Sequence, residues 1–196
     1  MKKKIALLAF LLCFASWTPA GGGELLVEQW QAWMASGQLA KDHLRYSQAI
    51  SLYRKAEGVA EKFGSRDLRL AKTLYMLSSC YDMHCDRRRA IEAAERADRI
   101  YEAALQWQLK QPPVDDTTES DWHTAEPVLS IWLDSMENLN TLIGLYRFTR
   151  QYDKALELLN AKVAAVQGGS GVDPLMKAEA LTIYNDWMAM VRKRSY

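Results

Sequence analysis

A surplus of charge of either sign is the first thing this sequence lacks. Its 25 Lys+Arg and 24 Asp+Glu nearly cancel. Taking away Lys2, Lys3 and Lys4, which belong to a leader, leaves 22 against 24, or −2. A chain so balanced has no net field to draw in a polyanion, which argues against a general binder of nucleic acid or of anionic membranes. Cysteine is scarce too. Cys13 lies in the leader, where Leu11 and Leu12 replace the small residue that a lipoprotein cysteine needs ahead of it, so only Cys80 and Cys85 remain. Catalytic fingerprints are also missing: there is no P-loop, no Gly-x-Ser-x-Gly, no His-Glu-x-x-His and no dinucleotide-binding glycine pattern. Gly168 to Gly171 is glycine-rich but follows a helical stretch instead of a strand, which excludes the usual phosphate cradle. No segment alternates as a strand does. With 49% apolar and 25% charged residues, what remains is globular, all-α material.

Residues 1–20 read as an address. Three lysines precede a 13-residue run from Ile5 to Trp17 dominated by apolar side chains, and Thr18-Pro19-Ala20 offers a small residue for cleavage after Ala20. That is the layout of a secretory signal peptide, and the run is short for a spanning helix, which needs about 20 apolar residues. The expectation is a periplasmic or secreted protein with no integral membrane span after cleavage. Its mature domain would cover residues 24–194.

Seven helices are legible in that domain. Leu26, Trp30, Trp33, Gly37 and Ala40 step by four and three along the first, over about 24–41. Gly37 costs roughly 1 kcal/mol against alanine in a helix interior, so its presence predicts a neighbour that approaches closely. A second helix spans about 46–63, with Gly64 as its cap and Ser65 or Asp67 starting a third, about 67–83. The fourth begins near Asp86 and reaches about 108–110. Pro112-Pro113 ends it, and residues 111–123, with Asp115, Asp116, Glu119 and Asp121, read as an exposed acidic insertion. Thr124 with Pro127 in its first turn starts the fifth helix, residues 151–167 form the sixth, and Asp173-Pro174 starts the seventh.

The pattern repeats. Trp33, Gly37, Ala40, Ala49, Tyr53 and Ala56 recur as Leu74, Ser78, Tyr81, Ala90, Ala94 and Ala97, an offset of 41 residues (49 to 90). Leu139, Ile143, Tyr146, Ala155 and Leu159 recur again after 65 (90 to 155), with the acidic insertion in the excess. This arrangement resembles the tetratricopeptide repeat, which carries Trp, Gly and Tyr on its first helix and small residues around an aromatic on its second. The first copy lacks only the first-helix tyrosine, having Ala40. The second has Ser78 for glycine and Ala94 for the aromatic, and the third has Ile143 and puts Lys162 where alanine is usual. A period of 41 exceeds the usual 34 by close to two helical turns, so the helices lengthen without turning their buried face away. That is similar to the long-helix, kinesin-light-chain-type variant. The resemblance implies a right-handed α-solenoid of about three hairpins closed by a capping seventh helix.

It also implies a protein- or peptide-binding role, without catalysis or cofactor, on the face of the first helices. By register that face carries Met34, Gln38 and Lys41, then Lys72, Tyr75, Ser79 and Asp82, then Glu137, Asn140, Gly144 and Arg147. The Lys and Asn clamp that some relatives use for a terminal carboxylate is not assembled here, where Met34, Gln38 and Glu137 stand instead. The lining suggests a peptide read through Met34 and Tyr75 and oriented by Asp82 and Arg147. Two other readings stay open. One is a thiol- or metal-using protein centred on Cys80, His84 and Cys85, a weak pattern in which a disulfide, two free thiols and a metal site all compete. A Cys80–Cys85 disulfide would need the third helix to end before Cys85, since Cα atoms five apart in a helix lie about 8 to 9 Å apart. The other is a module that stacks on itself. His43, His84 and His123 read as turn residues, and Arg87-Arg88-Arg89 as a solvated helix start, with an acidic contact as the alternative.

Overall fold

The computed structural model describes residues 22–110, 122–169 and 174–193. The leader, most of the acidic insertion, residues 170–173 and the last three residues lie outside the described residues. The architecture is all-α: α1 (Gly22–Asp42), α2 (Tyr46–Ala60) ending in a 3₁₀ turn (Glu61–Phe63), α3 (Leu68–Met83), α4 (Arg87–Gln108), α5 (Trp122–Phe148), α6 (Tyr152–Gly168) and α7 (Pro174–Arg192). Each helix packs on its neighbours in chain order.

The expected boundaries recur within about two residues. Asp67 is the N-cap of α3, its Oδ1 accepting from the Arg69 backbone N–H at 2.9 Å. The second helix tightens into its 3₁₀ turn before Gly64, which takes φ +119. The fifth starts at Trp122, earlier than Thr124 predicts, so Pro127 lies beyond its first turn.

Three turns join α1 to α2, α3 to α4 and α5 to α6, and they are one turn used three times. Leu44, Cys85 and Arg150 hold φ values of 58, 64 and 61. In each turn that residue's N–H bonds the carbonyl three back (Lys41, Asp82, Arg147), and the next N–H bonds the carbonyl five back (Ala40, Tyr81, Tyr146), at 2.8–3.1 Å. This is the glycine-type helix terminus, in which a left-handed residue lets two orphan carbonyls be satisfied. The residue after it then opens the next helix, and Ala49, Ala90 and Ala155 bond back to it while lying fully buried. The spacing of these turns is the 41 and 65 of the sequence repeat (44 to 85 to 150).

Gly37 has the close neighbour its position predicts: a Cβ there would fall 2.6 Å from the Tyr53 ring. Ile143 stands in Gly37's register on α5, and the α5 and α6 backbones approach at far fewer points than the other two hairpins.

Side-chain contacts that skip one helix fall into two sets. Trp30 Nε1 donates to Thr73 Oγ1 at 2.9 Å (α1 to α3), Lys72 pairs with Asp134 at 3.9 Å (α3 to α5), and Arg147 meets Met190 (α5 to α7). Opposite these, Arg96 on α4 meets Glu57 at 2.7 Å and Glu61 at 3.5 Å at the end of α2. Lys162 on α6 meets Asp98 at 3.0 Å and Glu102 at 2.7 Å on α4. In the 41-residue register, Glu57 and Glu61 become Asp98 and Glu102. The same carboxylate pair therefore holds a cation from the following second helix twice.

Candidate functional site

The predicted binding residues are carried by α1, α3 and α5, which are neighbours through the first set of contacts. Their side chains divide by how far the fold already occupies them. Met34 is half-buried against the core, its sulfur 3.5 Å from Thr73 Oγ1, so it serves as a joint between α1 and α3. Gln38 is tied at both ends, donating from Nε2 to Asp42 at 2.7 Å and accepting from the Tyr53 hydroxyl at 3.2 Å. Lys41 and Ser79 are half-buried.

The tightest grouping lies between α3 and α5. Lys72 reaches Asp134, and the half-buried Tyr75 hydroxyl sits among Glu137, Thr141 and Asp134. Burial pushes that phenol's pKa up, the Glu137 charge adds to the rise, and a hydrogen bond with Thr141 opposes it. Asp134 and Thr141 are absent from the sequence-derived set. They lie one turn before and one turn after Glu137: extending the non-packing stripe back by a turn reaches Asp134, while Thr141 lies beside Asn140 at the stripe's edge.

Asp82 and Arg147, the residues expected to orient a peptide, already have partners within the chain. Asp82 lies 3.8 Å from Arg87 Nε, and Arg147 is in contact with Met190 on α7. Glu137 and Asn140 are exposed, as is Gly144, where an added Cβ would meet nothing within 4 Å. The accessible part of the predicted face is therefore the α5 ridge with Lys72 and Tyr75 beside it.

The cysteine cluster is spread by the same turn that shapes the hairpin. The third helix does end before Cys85, at Met83, yet Cys80 faces the core and Cys85 is exposed at the left-handed position; both are free thiols. Burial pushes the Cys80 thiol pKa up, with Lys41 opposing. His84 Nε2 lies 2.9 Å from Ser47 Oγ, linking the first two turns. Among the described residues, no three His, Cys, Asp or Glu side chains gather into a metal-holding group. The arginines that read as a solvated helix start are each engaged. Arg87 stacks over Phe148 at 3.9 Å from its centroid, Arg88 reaches Glu92 at 3.5 Å, and Arg89 pairs with Asp86 at 3.4 Å.

Among the described residues no helix is long and apolar enough to cross a membrane. No family model, curated protein or solved structure matches this chain at a significant level.

Proposed function

We propose that this chain is an exported, non-catalytic helical-repeat scaffold of the tetratricopeptide kind, a right-handed solenoid of three long-helix hairpins capped by α7. It holds a protein or peptide partner in the cell envelope along the face of α1, α3 and α5. The observation that carries this reading is the triplicate turn at Leu44, Cys85 and Arg150, in phase with the sequence repeat. A chain that reuses one turn and one register sets its first helices side by side and leaves a continuous face on one layer. Of that face, Tyr75, Glu137, Asn140 and Gly144 have the access that a ligand needs, with Tyr75 the apolar anchor and the α5 ridge the polar rim.

Gly144 supplies the test. Gly144→Leu places a side chain in open space on the ridge, and replacing glycine in a helix interior stabilises by roughly 0.5–1 kcal/mol. With the mature wild-type protein as bait in envelope extract, a partner should be captured that the Gly144→Leu and Glu137→Arg double variant loses, while thermal stability holds or rises. Equal capture by the double variant would place binding elsewhere.

A further inference from the structure

The helices of this stack are not joined equally. From α1 to α5 each helix lies close against the next along the chain, and so does α6 against α7, but α5 and α6 approach at far fewer points. Of α6 only Ala155 and Leu159 are buried, against eight residues of α3 and seven of α4. α6 and α7 are also tied to each other, Lys177 Nζ donating to the Gln167 carbonyl at 3.0 Å. The two form a pair that holds to itself better than to α5.

What fastens that pair to the stack is largely charge. Lys162 of α6, its side chain 12% exposed, reaches Asp98 at 3.0 Å and Glu102 at 2.7 Å on α4. Buried Tyr184 of α7 lies within the field of all three. On the opposite layer, Arg147 of α5 meets Met190 of α7. A shielded ionic joint holds while it is closed, and its charges recover water once it parts, so it has two states instead of a graded range. The chain enters α6 through a single left-handed residue, Arg150, with helix resuming at Tyr152. A few positions at the end of an element are what a hinge needs.

We propose that α6 and α7 open together as a flap, hinged at the Arg150 turn and latched by Lys162 on Asp98 and Glu102, while α1 to α5 stay folded. Units with few buried contacts open at lower free energy than the whole molecule, and this pair has the thinnest seam in the stack. Opening withdraws Met190 from Arg147, the cation at the far end of the face proposed above to hold a partner. The flap thereby regulates that end of the face. This consequence rests on the proposed binding role; the opening itself does not.

Native-state hydrogen exchange of the mature protein tests the flap without any partner. In wild type the amides of α6 and α7 should share one opening, less protected than that of α3 and α4. Lys162→Met should speed their exchange by roughly 100-fold or more, the scale of losing one partner of a buried ion cluster. Gly37→Ala, which strains the first hairpin, should speed exchange in α1 and α2 yet leave α6 and α7 at wild-type rates, because that hairpin stays closed when the flap opens. The same acceleration in α6 and α7 as in α1 and α2 would mean that they open only with the whole fold, and would overturn the proposal. So would wild-type protection of α6 and α7 equal to that of α3 and α4, a reading that needs no variant to fold. Unchanged α6 and α7 rates in Lys162→Met would remove the latch and overturn it as well.

Discussion

The first and third hairpins share a turn and differ in what closes them. α1 meets α2 through shape, with Gly37 giving the Tyr53 ring room to lie against the helix. α5 and α6 carry Ile143 and Leu159 in that register, and their backbones stand apart. Charge joins α6 to the stack instead, through Lys162 seated between Asp98 and Glu102 of α4. The matching junction of the first two hairpins is wet, since Arg96 is 44% exposed where Lys162 is 12% exposed. One register thus tolerates two ways of holding helices together, and burial decides how much each contributes.

The largest expected effect follows from that burial. Lys162→Met leaves Asp98 and Glu102 without their shared cation, and losing one partner of a buried ion cluster costs about 3–5 kcal/mol. Arg96→Met, at the more exposed junction, should cost under about 1 kcal/mol. Urea unfolding of the two variants reads the difference directly, and equal losses would break the comparison. Replacing Lys162, Asp98 and Glu102 together with apolar residues should recover most of the loss.

Shape is tested by two glycines. Gly37→Ala forces a methyl into the Tyr53 ring and should cost about 1–3 kcal/mol, as overpacking does. Gly144→Ala, on the third hairpin where nothing lies nearby, should gain roughly 0.5–1 kcal/mol. Opposite signs in thermal melts would sharpen the contrast, and a neutral Gly37→Ala would remove it.

Alkali tests the buried cation. Burial lowers the Lys162 pKa, but Asp98 and Glu102 outweigh it and hold the ammonium above its ordinary value. Burial likewise pushes the Tyr53 and Tyr101 hydroxyls up. Each group binds its proton more tightly folded than unfolded. Its contribution is therefore complete below the unfolded value and drains as pH rises through the folded one. Stability should fall above about pH 10, by about 1.4 kcal/mol per pH unit for each proton released. Lys162→Arg, which keeps its charge further into alkali, should reduce that slope. A flat alkaline limb in wild type would contradict the seated ammonium. Asp98 adds a smaller feature of the same sign on the acid side. Burial holds its carboxyl above the usual range despite Lys162, so its contribution grows as pH falls and blunts acid unfolding.

The smallest effects concern the turns. A non-glycine residue in the left-handed region costs roughly 1–2 kcal/mol, offset in part by the entropy glycine loses on folding. Leu44→Gly, Cys85→Gly and Arg150→Gly should each gain up to about 1 kcal/mol, by chemical unfolding. A loss at any one would mark that turn as different from its siblings.

Much of this was legible because helix faces and glycines speak through short-range periodicity. The helix ends, the close approach at Gly37 and the offsets of 41 and 65 residues came from spacing alone, and the turns carry the same offsets. The ionic clamps did not come that way. Lys162 stood out only as a departure from alanine, and Arg96 and Lys162 differ by 66 residues, one out of phase with the turns. Long flexible side chains reach across a helix surface, so their partners are not bound to the repeat period. The predicted face was legible as a stripe but not as a site. Nothing in the spacing says that Asp82 turns to Arg87, or that Arg147 leans toward α7.

Backbone NMR of the mature chain tests the threefold repeat most directly, through intraresidue amide–Hα NOE intensities and carbon shifts around the three turns. A repeat predicts positive φ at Leu44, Cys85 and Arg150 together, each flanked by helix on both sides. Continuous right-handed helix or extended backbone at any of the three would contradict it.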